Sequence, residues 1–83
     1  MSDPNYAPLW LKLESILARA LELERDRIGA EEAGMVAEFI NHNEFGLAHD
    51  QLVNTLSETS LIPREEAGIL LTQAAQLMGK RTS

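Results

Sequence analysis

The stretch "PLWLKLESILARALELERD", from Pro8 to about Asp26, places Leu9, Leu13, Ile16, Leu17, Ala20 and Leu21 at spacings of three, four and seven. That period gathers apolar side chains on one stripe of a helix, which must then be buried against other elements. Pro8 suits the first helical turn, where its missing N–H costs nothing. Trp10, Leu11 and Leu23 widen the stripe and predict a helix gripped on more than one side. The same period returns three more times. From about Ala30 to His42, Ala33, Val36, Ala37 and Ile40 share a face, with Phe39 beside them. After "NHN", Leu47, Ala48, Leu52, Val53 and Leu56 repeat at helical spacing as far as "SETS", with Asn43 as the expected N-cap. Pro63 to Met78 carries Ala67, Leu70, Leu71, Ala74, Leu77 and Met78, and Gly79 is suited to end that helix in a left-handed conformation.

No segment shows sustained period-two alternation with β-branched residues, so no strand is expected. Connections of about two to five residues predict antiparallel sequence neighbours. The expected fold is all-α, a compact single-domain four-helix arrangement with short connections over residues 1–83, with flexible tails at about 1–7 and 80–83. A chain of 83 residues supports one core. Two cores of about forty residues each would both be too small to stand without disulfides or metals. There is no cysteine, so disulfides and thiolate metal sites are excluded, a composition suited to a reducing cytoplasm.

Lys12, Glu14 and Arg19 interrupt the most apolar region well short of the roughly 18 to 20 residues of a membrane span. "MSDPNYAP" lacks the basic start and apolar run of a secretory signal. A soluble cytoplasmic protein with no membrane contact is the expectation. The formal charge of −6 opposes direct binding to nucleic acid, which needs clustered Lys and Arg, and favours a basic protein partner. The charge is also uneven. From Ile28 to Pro63 the chain carries Glu31, Glu32, Glu38, Glu44, Asp50 and Glu58 and neither Lys nor Arg. Two readings fit that stretch: a solvated helical surface made acidic for solubility, or a face for a basic partner.

"IGAEEAG" at Ile28 recurs thirty-four residues later as "IPREEAG" at Ile62, each followed by two apolar residues. In both, a Gly or Pro punctuation precedes two glutamates in a first helical turn, where the dipole favours acid by about 0.3 to 1 kcal/mol each. Ile28 and Ile62 are placed to staple back onto their helices. Gly34 and Gly68 are placed to allow close helix approach, against a propensity cost of about 1 kcal/mol. The phrase therefore reads as a pair of helix starts rather than a duplicated catalytic site.

Catalytic chemistry finds little purchase. Glu31 and Glu32 would point about 100° apart around a helix, so they cannot share a proton face to face. His42 and His49 are seven residues apart, but the break expected at Asn43 separates them. Both are expected as surface histidines beside a turn. With no HExxH, CxxC or aspartate-rich calcium loop, no metal is expected. There is no Gly-rich phosphate loop, and Ser15, Ser57 and Ser60 have no base and orienting group beside them. The acyl carriers, also small, acidic and four-helical, need a serine at the start of the second helix, where this chain has "IGAEEAG". The expectation is a protein without catalysis or cofactor.

The segment "NEFGLAHDQLVNTL", Asn43 to Leu56, packs an acid, an aromatic and a glycine into the opening turn of a helix. Phe45 can fill the corner between the second and third helices, with Ala48 and Leu52 facing the core. This corner and the thirty-four-residue offset are similar to one helical hairpin of a tetratricopeptide array, though the chain has room for two repeats at most. The run Glu44, Phe45, Gly46, Leu47 and Ala48, followed by Pro63 to Gly79, more closely resembles small bacterial immunity proteins of the MafI type. These are antidotes encoded beside polymorphic or contact-dependent growth-inhibition toxins. The likeness covers about Glu31 to Gly79. It implies an all-α protein without catalysis that binds and neutralises a cognate toxin C-terminal domain, commonly a nuclease and therefore basic. Glu31, Glu32, Glu38, His42, Asn43, Glu44 and Asp50 are then the candidate partner-binding residues, and a monomer or weak homodimer is expected. The alternative is a non-catalytic helical adaptor or oligomerisation module, for which Leu11, Leu23 and Met35 are the apolar residues available for self-association.

Overall fold

A computed structural model describes residues 6–79. The described chain forms α1 (Tyr6–Glu24), α2 (Ala30–Asn41), α3 (Phe45–Glu58) and α4 (Glu65–Leu77), an all-α arrangement with no strand among the described residues. The expectation of flexible tails over 1–5 and 80–83 lies outside the described residues. Residues 6 and 7, also assigned to a tail, belong to α1, which begins two residues before Pro8. Pro8 still falls in the first turn, where backbone N–H groups have no helical partner.

The four apolar stripes meet in one core. Leu17 of α1, Val36 of α2, and Leu52 and Leu56 of α3 are its largest fully buried apolar side chains, and Phe45 closes the corner between α2 and α3 as expected. Each such side chain contributes about 1.5 to 3 kcal/mol by leaving water. The pairing of helices follows connectivity only in part. α2 and α3 pack as a hairpin, but α4 packs chiefly along α1, meets α3 only sparsely and does not touch α2. Glu24 meets Arg64, Arg19 meets Glu66, and Lys12 shares a cleft with Gln76, so α1 and α4 run antiparallel. The first and last helices thus form one layer and the middle hairpin the other. The sparse α3–α4 junction carries a polar tie: Nε2 of His49 donates to the carbonyl of Leu71 at 3.1 Å. His49 is therefore a half-buried residue within α3, not a surface residue beside a turn.

The helix ends correct a second expectation. Asn43 does not cap α3; the N-cap is Glu44, which makes no side-chain cap hydrogen bond. Asn43 instead stops α2 in the left-handed region at φ 58°. Its N–H donates to the Ile40 carbonyl and that of Glu44 to the Phe39 carbonyl, at 3.0 and 2.8 Å, the paired bonds of a Schellman end. Ser60, at φ 57°, ends α3 in the same way, with Ser60 and Leu61 donating to Ser57 and Leu56. Gly79 ends α4 at φ 74°, as its position predicted. Asparagine tolerates this conformation better than most residues, and here it turns the chain sharply enough to seat Phe45.

Trp10 and Leu11 were expected to lie under a second grip on α1, but they remain 46% and 66% exposed. Close approach at Gly34 and Gly68 is also absent. A Cβ on Gly34 would meet nothing within 4 Å, and one on Gly68 would reach only the Cβ of Pro63 at 4.0 Å.

Candidate functional surface

Of the seven candidate residues, Glu31, Glu38, His42, Asn43, Glu44 and Asp50 are exposed and Glu32 is half-buried. Glu31 and Glu38, seven positions apart on α2, lie two turns apart on one side of the helix. Glu32 turns back toward the start of α2, where its Oε2 would lie 2.5 Å from a Cβ placed on Gly29. It shields the helix start rather than extending the acidic row. His42 folds over the last turn, its Nδ1 donating to the Glu38 carbonyl at 2.9 Å while its own N–H donates to the same oxygen at 3.1 Å. Asn43 and Glu44 follow in the corner. Asp50 stands apart, six positions beyond Glu44 and so about 120° around the axis of α3. Its Oδ1 lies 3.5 Å from Nδ1 of His49, on the side that meets α4. The structure therefore gathers Glu31, Glu38, His42, Asn43 and Glu44 along α2 and its corner, and leaves Asp50 outside that row.

A cluster that periodicity alone had passed over lies at the opposite end of the charge map. Glu24, at the last position of α1, has no exposed surface. One carboxylate oxygen accepts from Nη1 of Arg27 at 2.9 Å, and the other accepts the backbone N–H of Arg64 at 2.6 Å. Nη2 of Arg27 donates in turn to the Ile62 carbonyl at 2.9 Å. The Arg64 guanidinium forks onto Asp26 at 3.0 and 3.3 Å and also donates to the Leu23 carbonyl. That fork, chiefly through its hydrogen bonds, holds the Asp26 carboxyl below its ordinary value and raises the Arg64 guanidinium above its own. The cluster clamps the end of α1 to the start of α4, with a buried carboxylate satisfying a helix-start N–H and complementing the dipole. A signal for it exists in the sequence. Glu24 stands seven after Leu17, four after Ala20 and three after Leu21, so an acid occupies the centre of the apolar stripe, with Arg27 one turn on.

The clamp bears on the candidate surface through charge. Each arginine in the described residues is matched by a carboxylate: Arg19 with Glu66, Arg25 with Glu22, Arg27 with Glu24, and Arg64 with Asp26. Arg64 turns away from Glu65 and Glu66, and Arg19 takes Glu66 instead. On the α2–α3 side no Lys or Arg is present in the sequence to play that part. Among the described residues no group of three or more His, Cys, Asp or Glu is placed to hold a metal ion, and no helix is long and apolar enough to cross a membrane. In comparisons with known proteins, no family model, curated protein or solved structure matches the chain.

Proposed function

We propose that this chain is a binding protein that captures and neutralises a basic protein domain through the acidic face of α2 and its corner. The residues that carry the contact are Glu31, Glu38, His42, Asn43 and Glu44, with Asp50 at the margin and Glu32 supporting the helix start. The supporting observation is the division of charge. The arginines of the α1–α4 layer are spent on carboxylates of that same layer, whereas the acids of the middle hairpin have no basic residue in their own stretch. Such a face raises the capture rate of a positively charged partner and loses that advantage in salt. The resemblance to MafI-type immunity proteins supplies the class of partner: a toxin C-terminal domain, with a phosphate-binding nuclease the best electrostatic match. This reading assigns the chain no catalysis, no cofactor and a cytoplasmic place of action.

The test is charge reversal. With the partner recovered from the source cell, replacing Glu38, Glu44 and Asp50 together by Lys should leave the helical spectrum intact and weaken binding at least about tenfold. Unchanged binding by the folded triple variant, or a complex insensitive to salt, overturns the reading. The adaptor or oligomerisation alternative draws on a different observation, the exposure of Ile62 and Ile69 on the α4 side. Sedimentation decides that point, since a stable homodimer weakened by Ile69→Lys favours the module.

A further inference from the structure

The contact between α1 and α2 is thin compared with that within either layer, and a groove runs along it. At one end a cleft of about 460 Å³ lies between Arg25 and the segment carrying Ala30, Ala33 and Gly34. Its neighbour, about 190 Å³, shares Arg25 and sets Ala18 and Leu21 opposite Ala37 and Ile40. The far end, about 240 Å³, is bounded by Trp10, Leu11, Glu14 and Asn43. From Trp10 to Arg25 the α1 bank is about 22 Å long, or about four helical turns.

We propose that this groove receives a single basic amphipathic helix of the partner. The inference rests on the reading of the partner as basic and names the shape of what it inserts. Three features select that occupant. The floor is apolar and shallow, and the open space over Gly34 admits side chains from a helix laid along it. Trp10 and Leu11, 46% and 66% exposed, offer an aromatic and aliphatic anchor at one end, the kind of contact that dominates binding energy. The banks are acidic on both sides. Glu14 and Glu22 line the α1 bank. Glu31 and Glu38, exposed and three before and four after Gly34, flank the α2 bank. Arg25 is the one base among the lining residues, and it lies 4.0 Å from Glu22. Lys12 lines a different cleft, facing Gln73 and Gln76 of α4. A second copy of this chain, itself acidic, would bring like charge to these banks, whereas a helix with small aliphatic residues inward and Lys or Arg on its flanks complements them.

Trp10 is the sole tryptophan and reports directly on the groove end. The whole chain is titrated with two synthetic helical peptides of about fifteen residues that share an Ala/Leu inner face and carry either lysines or glutamates on the outer flanks. The lysine peptide should shift Trp10 emission to the blue and bind at least about tenfold tighter than the glutamate peptide. Gly34→Leu, which fills open space, should keep its helical spectrum and lose about tenfold in affinity. Gly68→Leu, the matching position of α4, should bind as the wild type does. Equal binding of the two peptides, or undiminished binding by folded Gly34→Leu, overturns the groove. So does a homodimer abolished by Gly34→Leu in a chain that takes neither peptide. With the recovered partner, retained binding by Gly34→Leu but not by the triple charge reversal removes the groove and leaves the acidic face. Retained binding by both variants removes the two together.

Discussion

"IGAEEAG" and "IPREEAG" start α2 and α4 with nearly the same letters, yet they are fastened to the molecule by different means. Ile28 is 7% exposed and sits in the core, so the first copy is anchored by an apolar side chain. Ile62, at the equivalent place, is 82% exposed and staples nothing, a correction to the symmetrical expectation. The second copy is anchored by polarity instead: Glu24 accepts the Arg64 N–H, and Arg27 donates to the Ile62 carbonyl. What differs is the ground beneath each phrase. Ile28 follows the end of α1 within four residues and drops into the inter-layer core, while the segment from Ile62 to Arg64 crosses the buried carboxylate at that same helix end. A repeated phrase therefore repeats a local tendency, the helix start, and leaves its tertiary anchoring to the partner surface.

The largest effect should separate the two isoleucines. Ile28→Ala should lower stability by about 2 to 5 kcal/mol, the range for a buried aliphatic truncation, while Ile62→Ala should stay within about 0.5 kcal/mol. Urea unfolding of the pair measures both, and equal losses would erase the comparison. Glu24→Ala should come next. It leaves the Arg64 N–H without its acceptor at a part-buried helix start, at a cost of about 1 to 3 kcal/mol. Arg27 and Arg64 can still turn to water, which keeps the loss from rising further. Amide exchange should locate the damage at the start of α4 rather than that of α2. If both starts loosen equally, the carboxylate is a general core element and not the anchor of the second copy.

The glycines test where the copies agree. Neither Gly34 nor Gly68 has a close neighbour that a methyl group would strike, so Gly34→Ala and Gly68→Ala should each raise stability by about 0.5 to 1 kcal/mol. A loss at either position, read from thermal or urea midpoints, would restore the close helix approach that the sequence suggested.

These contrasts mark how far the sequence could be read. The four helices were legible because Leu13, Leu17, Leu52, Leu56 and Leu71 repeat at a period that only a helix places on one side. Their pairing was not, because connection length constrains which helices are close in sequence and says little about where α4 finds its largest apolar neighbour. Asn43 shows a narrower limit. The same residue type serves at an N-cap and at a left-handed helix end, and only its backbone, left-handed with the N–H on the Ile40 carbonyl, separates the roles. For the candidate surface, the exposure of Glu31, Glu38 and Glu44 followed from helical facing. The displacement of Asp50 follows from the same facing, six positions on from Glu44, whereas the inward turn of Glu32 depends on the space at Gly29, which periodicity does not encode.

The smallest predicted effect is a pH signature of the second copy's polar anchor. In the folded chain the Arg64 guanidinium keeps Asp26 ionised below its ordinary carboxylate range, whereas in the unfolded chain that acid titrates near its ordinary value. A carboxyl depressed by folding contributes stability that is present above its unfolded pKa and is lost as pH falls through the folded one. Asp26→Asn should therefore be slightly less stable than wild type at neutral pH, and the gap should close in acid, below about pH 4. Because Asp26 is exposed, solvent screening keeps the gap small, and salt should shrink it further. The counterpart at the start of α2 is Gly29, which has no guanidinium to offer. Urea midpoints for wild type and Asp26→Asn between about pH 2 and 7 make the comparison. A gap between wild type and Asp26→Asn that persists unchanged to the acid limit would detach the Arg64 fork from the anchoring of α4, and leave that task to Glu24 and Arg27.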